Sequence, residues 1–278
     1  MLTLYAQYYV PNDRLRQREI HECFERNLSN PLVSQFVIFF ENEEDQRLIP
    51  NHSKVIKKKW PQRLTYSKWL EETNSLPVGT LSILVNSDIY LTSSVSHLIE
   101  NQTSIASQKR FIALSRYNPN GHHFLLNKNP HWTQDTWAIV RSADDLPSNL
   151  LQEAAFELGH PGCDNKIAYV MHSYGYTLTN PCEKVLTVHL QNSDQRSYDA
   201  KRNKLLGLQA FVYSTDHVLN DSVVEVDLLT RSKTQLNKIR VNNWINDEKS
   251  FYLSSGLNHE EVVPNDVTNQ SNSNEHKK

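Results

Sequence analysis

Apolar residues in this chain fall in short runs, each cut off by a polar or turn-forming cluster, and the runs alternate with stretches of helical spacing. In LSILVNSDIY, Leu81, Ile83, Leu84 and Val85 form the clearest run, entered from Pro77-Val78-Gly79 and stopped by Asn86, Ser87 and Asp88. Such a run predicts a strand buried in a largely parallel sheet. Leu2–Val10 (LTLYAQYYV) is aromatic-rich and predicts a first strand. Pro11-Asn12-Asp13 breaks it, and Asp13 can cap a helix running to about Asn27, with Ile20, Cys23, Phe24 and Leu28 on one face. Asn30-Pro31 stops that helix, and Phe36–Phe40 predicts a second buried strand ending at Glu41. Strand, helix and strand in this order make a βαβ opening with a right-handed crossover.

Further along, Glu43–Pro50 reads as a charged loop and Thr65–Asn74 as a helix capped by Thr65, with Tyr66, Trp69 and Leu70 facing inward. Ser93 or Ser94 can cap a short helix, and Arg110–Arg116 reads as a strand. Tyr117–Trp132 is polar and turn-rich, and reads as a long surface loop beside the ligand cleft. Gln134–Val140 predicts a strand, and Asn149–Leu158 a helix closed by Gly159. Gly162-Cys163-Asp164-Asn165 reads as a glycine turn leading into a helix over Lys166–Tyr174, followed by strands at Gly175–Thr179 and Val185–Leu190. The expected fold class is α/β: a Rossmann-type mixed, mainly parallel central sheet flanked by helices. Beyond Arg196 the pattern changes to short alternating pieces at Phe211–Tyr213, Val223–Leu229 and Ile239–Val241. They predict a β-rich C-terminal extension of the same domain over 201–263, and the polar segment 264–278 reads as a disordered tail.

Composition narrows the function. A net charge of −2 across 278 residues excludes a globally basic nucleic-acid binder. A mean hydropathy of −0.59, with apolar runs too short to cross a bilayer, predicts a soluble chain. The N-terminus does not read as a secretory signal. Three cysteines, Cys23, Cys163 and Cys182, form no CxxC pair, which argues against a disulfide framework or zinc ribbon and for a reducing cytoplasm. No GxGxxG, P-loop or GxSxG pattern occurs.

Open α/β sheets bind ligands at the carboxyl ends of their strands. Asn86–Asp88 falls at such an end, although Asn, Ser and Asp also simply make turns. Asp135 then opens a strand, Asp164 lies in a glycine turn before a helix, and His189 rides on a later strand. Carboxylates with one imidazole suit a divalent cation, Mn2+ or Mg2+, that keeps positions open for substrate phosphates, with Asp88 and His189 as candidate ligands. A separate carboxylate would deprotonate an incoming hydroxyl.

In these motifs the chain resembles the GT-A fold glycosyltransferases, over about Leu2–Arg196. NSDIY at Asn86–Tyr90 looks like the family's DxD-type motif, with Asn86 where many members carry the first acid. GCDN at Gly162–Asn165 looks like its second acidic motif, which makes Asp164 the counterpart of the catalytic base of inverting members. His189 in TVHL is similar to the metal-binding histidine. The resemblance implies a nucleotide-binding half over about 1–100 and an acceptor half over about 101–200. It also implies a nucleotide-diphosphate sugar donor, a glycan or glycolipid acceptor and a divalent cation. The donor's base and ribose would meet Gln7, Tyr8, Tyr9 and Glu41, and its phosphates Asn86, Ser87, Arg63 and either Arg14 or Arg18. Tyr8 and Tyr9 can equally be core and rim, and Arg63, Arg116 and Arg196 surface arginines. Asp135 is either a second candidate base or, with Trp137 as a sugar-stacking platform, part of an acceptor site. A cytoplasmic enzyme of this kind would build a surface polysaccharide or a related glycan, with peripheral membrane contact among its expected partners. Two other readings stay open: a non-catalytic nucleotide-sugar or glycan binding module, and a metal-dependent phosphodiesterase.

Overall fold

In the computed structural model, residues 1–191, 204–229 and 238–242 are described, the last as backbone. The elements in order are β1 (Leu2–Tyr8), α1 (Arg14–Ser29), β2 (Gln35–Phe40), α2 (Glu43–Leu48), β3 (Val55–Lys59), α3 (Tyr66–Asn74), β4 (Leu81–Val85) and β5 (Ile89–Leu91). Then come α4 (Ser96–Glu100), α5 (Gln102–Ser107), β6 (Arg110–Asn120), β7 (His123–Leu126), β8 (Gln134–Val140), α6 (Ser148–Glu153), α7 (Cys163–Ser173), β9 (Thr177–Thr179) and β10 (Thr187–His189). Last are β11 (Gly207–Val212), β12 (Val223–Leu229) and β13 (Lys238–Asn242).

The main sheet runs β3-β2-β1-β4-β8-β6-β10-β5, with β7 and β9 paired to β6. β3, β2, β1 and β4 are parallel, and β8 joins β4 antiparallel, so the fold is the expected mixed α/β sheet flanked by helices. The apolar runs have a direct cause. Along β1, Leu2, Leu4, Ala6 and Tyr8 pack with Ile20, Phe24 and Phe36 on one face, whereas Tyr5 packs with Phe39, Tyr66, Trp69 and Trp137 on the other. A strand covered on both faces has little room for solvent-facing polar alternation.

Local chemistry sets the helix starts. The Asp13 side chain accepts from Arg16 N at 2.7 Å, and the Thr65 side chain from Lys68 N at 3.2 Å, as their capping positions predicted. One buried polar cluster ties α3 to β4: Trp69 Nε1 donates to Ser82 Oγ at 2.9 Å, with Thr73 Oγ1 at 2.7 Å from the same oxygen.

Several expectations are corrected. Tyr117–Trp132 is not one loop: β6 runs on to Asn120 and turns at Gly121-His122 into β7, so cross-strand pairing satisfies the backbone of this polar stretch. Glu43–Leu48 is a short helix because the Asn42 side chain accepts from Glu44 N and Asp45 N. The helix expected over Asn149–Leu158 stops at Glu153, since the carbonyls of Ala154 and Phe156 accept from Ser67 N and Tyr66 N, which open α3. Thr92, rather than a serine, caps the turn at Ser93–Val95. α7 starts at Cys163, which puts Asp164 inside its first turn. The C-terminal β pieces form a three-stranded antiparallel sheet, β11-β12-β13, and Ala210, Val212, Val224 and Val226 join the core cluster that contains α7's Ile167 and Met171. The 264–278 tail and Arg196 lie outside the described residues.

Candidate active site

A cleft of about 1330 Å³ opens at the carboxyl ends of β1 and β4 and runs along the start of α7 to β11 and β12. Asp88 lies in its wall, 7% exposed, on the bend between β4 and β5. Arg16 donates to Asp88 Oδ2 at 2.5 Å, and His189 Nε2 lies 2.9 Å from the same oxygen. His189 is buried behind Asp88, and its Nδ1 faces Asn118 Oδ1 at 3.2 Å. Burial alone would raise the Asp88 carboxyl's pKa, but His189 and Arg16 more than offset it and hold it well below the usual carboxylate range.

Helix α1 organises this corner. Asn27 donates to Ile89 O at 2.9 Å and accepts from Leu91 N at 2.9 Å, and Asn30 donates to Leu91 O at 3.1 Å. Those contacts fix β5 to α1, and thereby set Asp88 against Arg16 one helical turn after the cap.

Two further carboxylates line the same cleft. Asp135 accepts from Arg116 at 2.6 Å and from Asn86 Nδ2 at 2.7 Å. Asp164 lines the same cleft, and its carboxyl is pushed up to about 7. Desolvation is the largest cause and the negative charge of Asp135 the next, opposed by the backbone N–H groups of Asn165 and Asp164 and by Arg116. Arg116 is electrostatically coupled to Asp135 most strongly, then to Asp88 and Asp164, so one guanidinium stands among all three acids. Gly162 makes the entry into α7 possible: its φ is +83°, and a Cβ there would lie 2.5 Å from Gln209 Nε2. Asn165 ties this entry to its surroundings, donating to His131 O at 3.0 Å and Ala210 O at 3.1 Å.

The other sequence candidates separate. Tyr9, Glu41, Arg63, Asn86 and Ser87 line the cleft. Gln7 lines it too, but its amide is spent on the protein, donating to Glu41 at 2.7 Å and accepting from Leu64 N at 2.7 Å. Ser87 Oγ donates to Gln7 O at 2.6 Å. Tyr8 is a correction: it is fully buried, with its hydroxyl 2.8 Å from His21 Nε2, because odd and even residues of β1 face opposite sides. Arg14 and Arg18 are corrections too, lying together on the outer surface of α1. Arg16 is the residue missed. It stands four before Ile20, on the stripe that continues through Cys23, Phe24 and Asn27, and that spacing was legible. Trp137, read as a stacking platform, is fully buried edge-on against Tyr66. All three cysteines are buried and free, and Cys163 accepts from the Tyr66 hydroxyl at 3.4 Å.

Among the described residues no three His, Cys, Asp or Glu side chains cluster as a metal site. Asp88 Oδ2 and His189 Nε2 are nonetheless close enough to reach one cation, an oxygen and a nitrogen donor that suit Mn2+. The remaining ligands would have to be substrate oxygens or water, as is common for cations held by one or two carboxylates. Arg16 would have to leave Asp88 Oδ2 or share it.

No helix among the described residues is long and apolar enough to cross a membrane. No family model matches the chain, and no curated protein matches it. Similar solved structures include a mannosyltransferase from Pyrobaculum calidifontis in complex with GDP-Man and Mn2+, at 12% identity and a TM-score of 0.44, over 71% of this chain and 58% of that one. The 2-C-methyl-D-erythritol 4-phosphate cytidylyltransferase of Francisella tularensis matches at 12% identity and a TM-score of 0.44, over 71% of this chain and 94% of that one. The 4-diphosphocytidyl-2C-methyl-D-erythritol synthase of Anaerococcus prevotii matches at 6% identity and a TM-score of 0.40, over 64% and 86%.

Proposed function

We propose that this chain is a glycosyltransferase that moves a sugar from a nucleotide-diphosphate sugar to a hydroxyl of a glycan or related acceptor, with inversion at the sugar carbon. One observation carries the reading: a single cleft holds a cation-flanked corner at Asp88 and, apart from it, a carboxylate at Asp164 whose proton affinity suits a general base near neutral pH. Glu41 and Tyr9 flank the end where base and ribose would enter. Arg16 and Arg116 supply fixed positive charge toward the diphosphate. A divalent cation held by Asp88 and His189 would add Lewis-acid stabilisation of the leaving diphosphate. Asp164 takes the proton of the attacking hydroxyl, and Asp135, already paired with Arg116 and Asn86, positions that arginine.

The test is release of free nucleotide from a panel of nucleotide sugars, with glycan acceptors, with and without manganese. Asp88→Ala and Asp164→Ala should each abolish release. Undiminished turnover in both variants would refute the assignment. Thermal stabilisation by nucleotide diphosphates with no turnover on any acceptor would favour the binding-module reading, to which the Arg16–Asp88 pair also lends itself. Cleavage of phosphodiesters with no sugar acceptor would favour the phosphodiesterase.

A further inference from the structure

The cleft extends past Asp164 along a wall that the reacting groups do not use. This wall is a short 3-10 turn, Pro130–Trp132, packed against β11. Trp132 is 62% exposed, whereas Trp69 and Trp137 are fully buried. A lone exposed apolar side chain needs no explanation, but Trp132 is not placed at random. It lines the cleft with His131 and Phe211, its ring 5.8 Å from that of Phe211. The His131 ring is stacked on Tyr213 at 4.3 Å.

The turn is also held rigidly relative to the candidate base. Asn165, the residue after Asp164, donates to His131 O at 3.0 Å, and Ser115 Oγ donates to Pro130 O at 2.6 Å. Trp132 N donates to Asn129 O at 3.1 Å. Gln209, Glu225 and Asp227 also line the cleft, although Gln209 Nε2 donates to Leu205 O at 2.9 Å and the two carboxylates are buried with partners of their own. A flat, exposed indole in a cleft wall with polar neighbours is complementary to a pyranose, which has an apolar C–H face and a polar rim.

We infer that Trp132 is the platform of a saccharide subsite: a pyranose ring of the acceptor stacks on the indole, and the hydroxyl to be glycosylated is turned toward Asp164. This rests on the transferase reading for its direction, and it moves the stacking role from Trp137 to Trp132. It identifies the acceptor as a carbohydrate rather than a bare lipid or peptide hydroxyl.

The experiment is saturation-transfer NMR and fluorescence titration of the full chain with methyl glucoside, galactoside, mannoside and N-acetylglucosaminide and with maltose, cellobiose and lactose. At least one probe should bind with saturation strongest on its ring C–H protons. Trp132→Ala should weaken that binding by about tenfold or more, while Trp132→Tyr, which keeps an aromatic face, should hold it within about threefold. Nucleoside diphosphate binding, followed by thermal shift, should be the same in both variants and reports that they are folded. Equal saccharide binding by Trp132→Ala and the unaltered chain overturns the inference, as does the failure of every probe to bind. Saccharide binding that depends on Trp132 without turnover of any nucleotide sugar leaves the subsite standing and sinks the transferase reading instead.

Discussion

Replacing Asp164, the proposed general base, by asparagine should stabilise the protein while slowing nucleotide release, and the stabilisation should depend on pH in a defined way. The carboxyl is moved from an ordinary 3.8 up to about 7, chiefly by desolvation and then by Asp135. A folded-state pKa above the unfolded one means that ionisation opposes folding. The penalty is absent below about pH 4, where both states carry the proton. It grows by about 1.4 kcal/mol per pH unit and is complete above about pH 7. The full shift corresponds to about 4 kcal/mol, and partial access of cleft water reduces the expected effect to about 2–4 kcal/mol. Asparagine keeps the shape and the carbonyl acceptor for the helix N–H groups but has no charge to desolvate. Urea unfolding of both proteins at pH 4, 6 and 8 should therefore give a difference near zero at pH 4 and about 2–4 kcal/mol in favour of Asp164→Asn at pH 8. Nucleotide release by the unaltered chain should fall tenfold per unit below about pH 7, and the variant should lose about 10²–10⁴-fold. A pH-independent stability difference, or a variant less stable at pH 8, would refute this account of the carboxyl's surroundings.

Asp88→Asn should behave in the opposite sense: the carboxyl is held below its usual range, so its contribution is present at neutral pH and lost as pH falls below about 4. Leaving Arg16 and His189 against a neutral amide should destabilise by about 3 kcal/mol at pH 7, and an equal deficit at pH 3 would count against the ion-pair explanation. Gly162→Ala should cost more than Gly121→Ala in thermal unfolding, since both have positive φ but only Gly162 has a side chain in the way; equal shifts would show that Gln209 simply moves aside. Asn27→Ala removes two buried hydrogen bonds to β5, so about 2–3 kcal/mol of stability and part of the nucleoside diphosphate affinity should go together, and a loss below about 0.5 kcal/mol would discount the staple.

The alternation of apolar runs and helical stripes was sufficient for the βαβ opening, the strand positions of β1, β2 and β4, and the caps at Asp13 and Thr65. Burial on two faces and side chain-to-backbone capping are local properties, so composition and spacing within a dozen residues record them. Asp88, Asp164 and His189 were legible as polar interruptions at strand and helix ends for the same reason. Pairing of distant segments is a different matter. The hairpin of β6 with β7, the early end of α6 against α3, and the burial of Tyr8 and Trp137 each depend on a partner far along the chain. Arg16 rather than Arg14 or Arg18 meets Asp88 because α1 is rotated to place its Ile20–Asn27 stripe under β5. Local chemistry thus set most of the element types, but not the helix at Glu43–Leu48 or the β6–β7 hairpin, and marked the polar residues at element ends. Only the tertiary structure decided which of them share a cleft and what each carboxylate's proton affinity is, because desolvation and charge proximity come from groups tens of residues away.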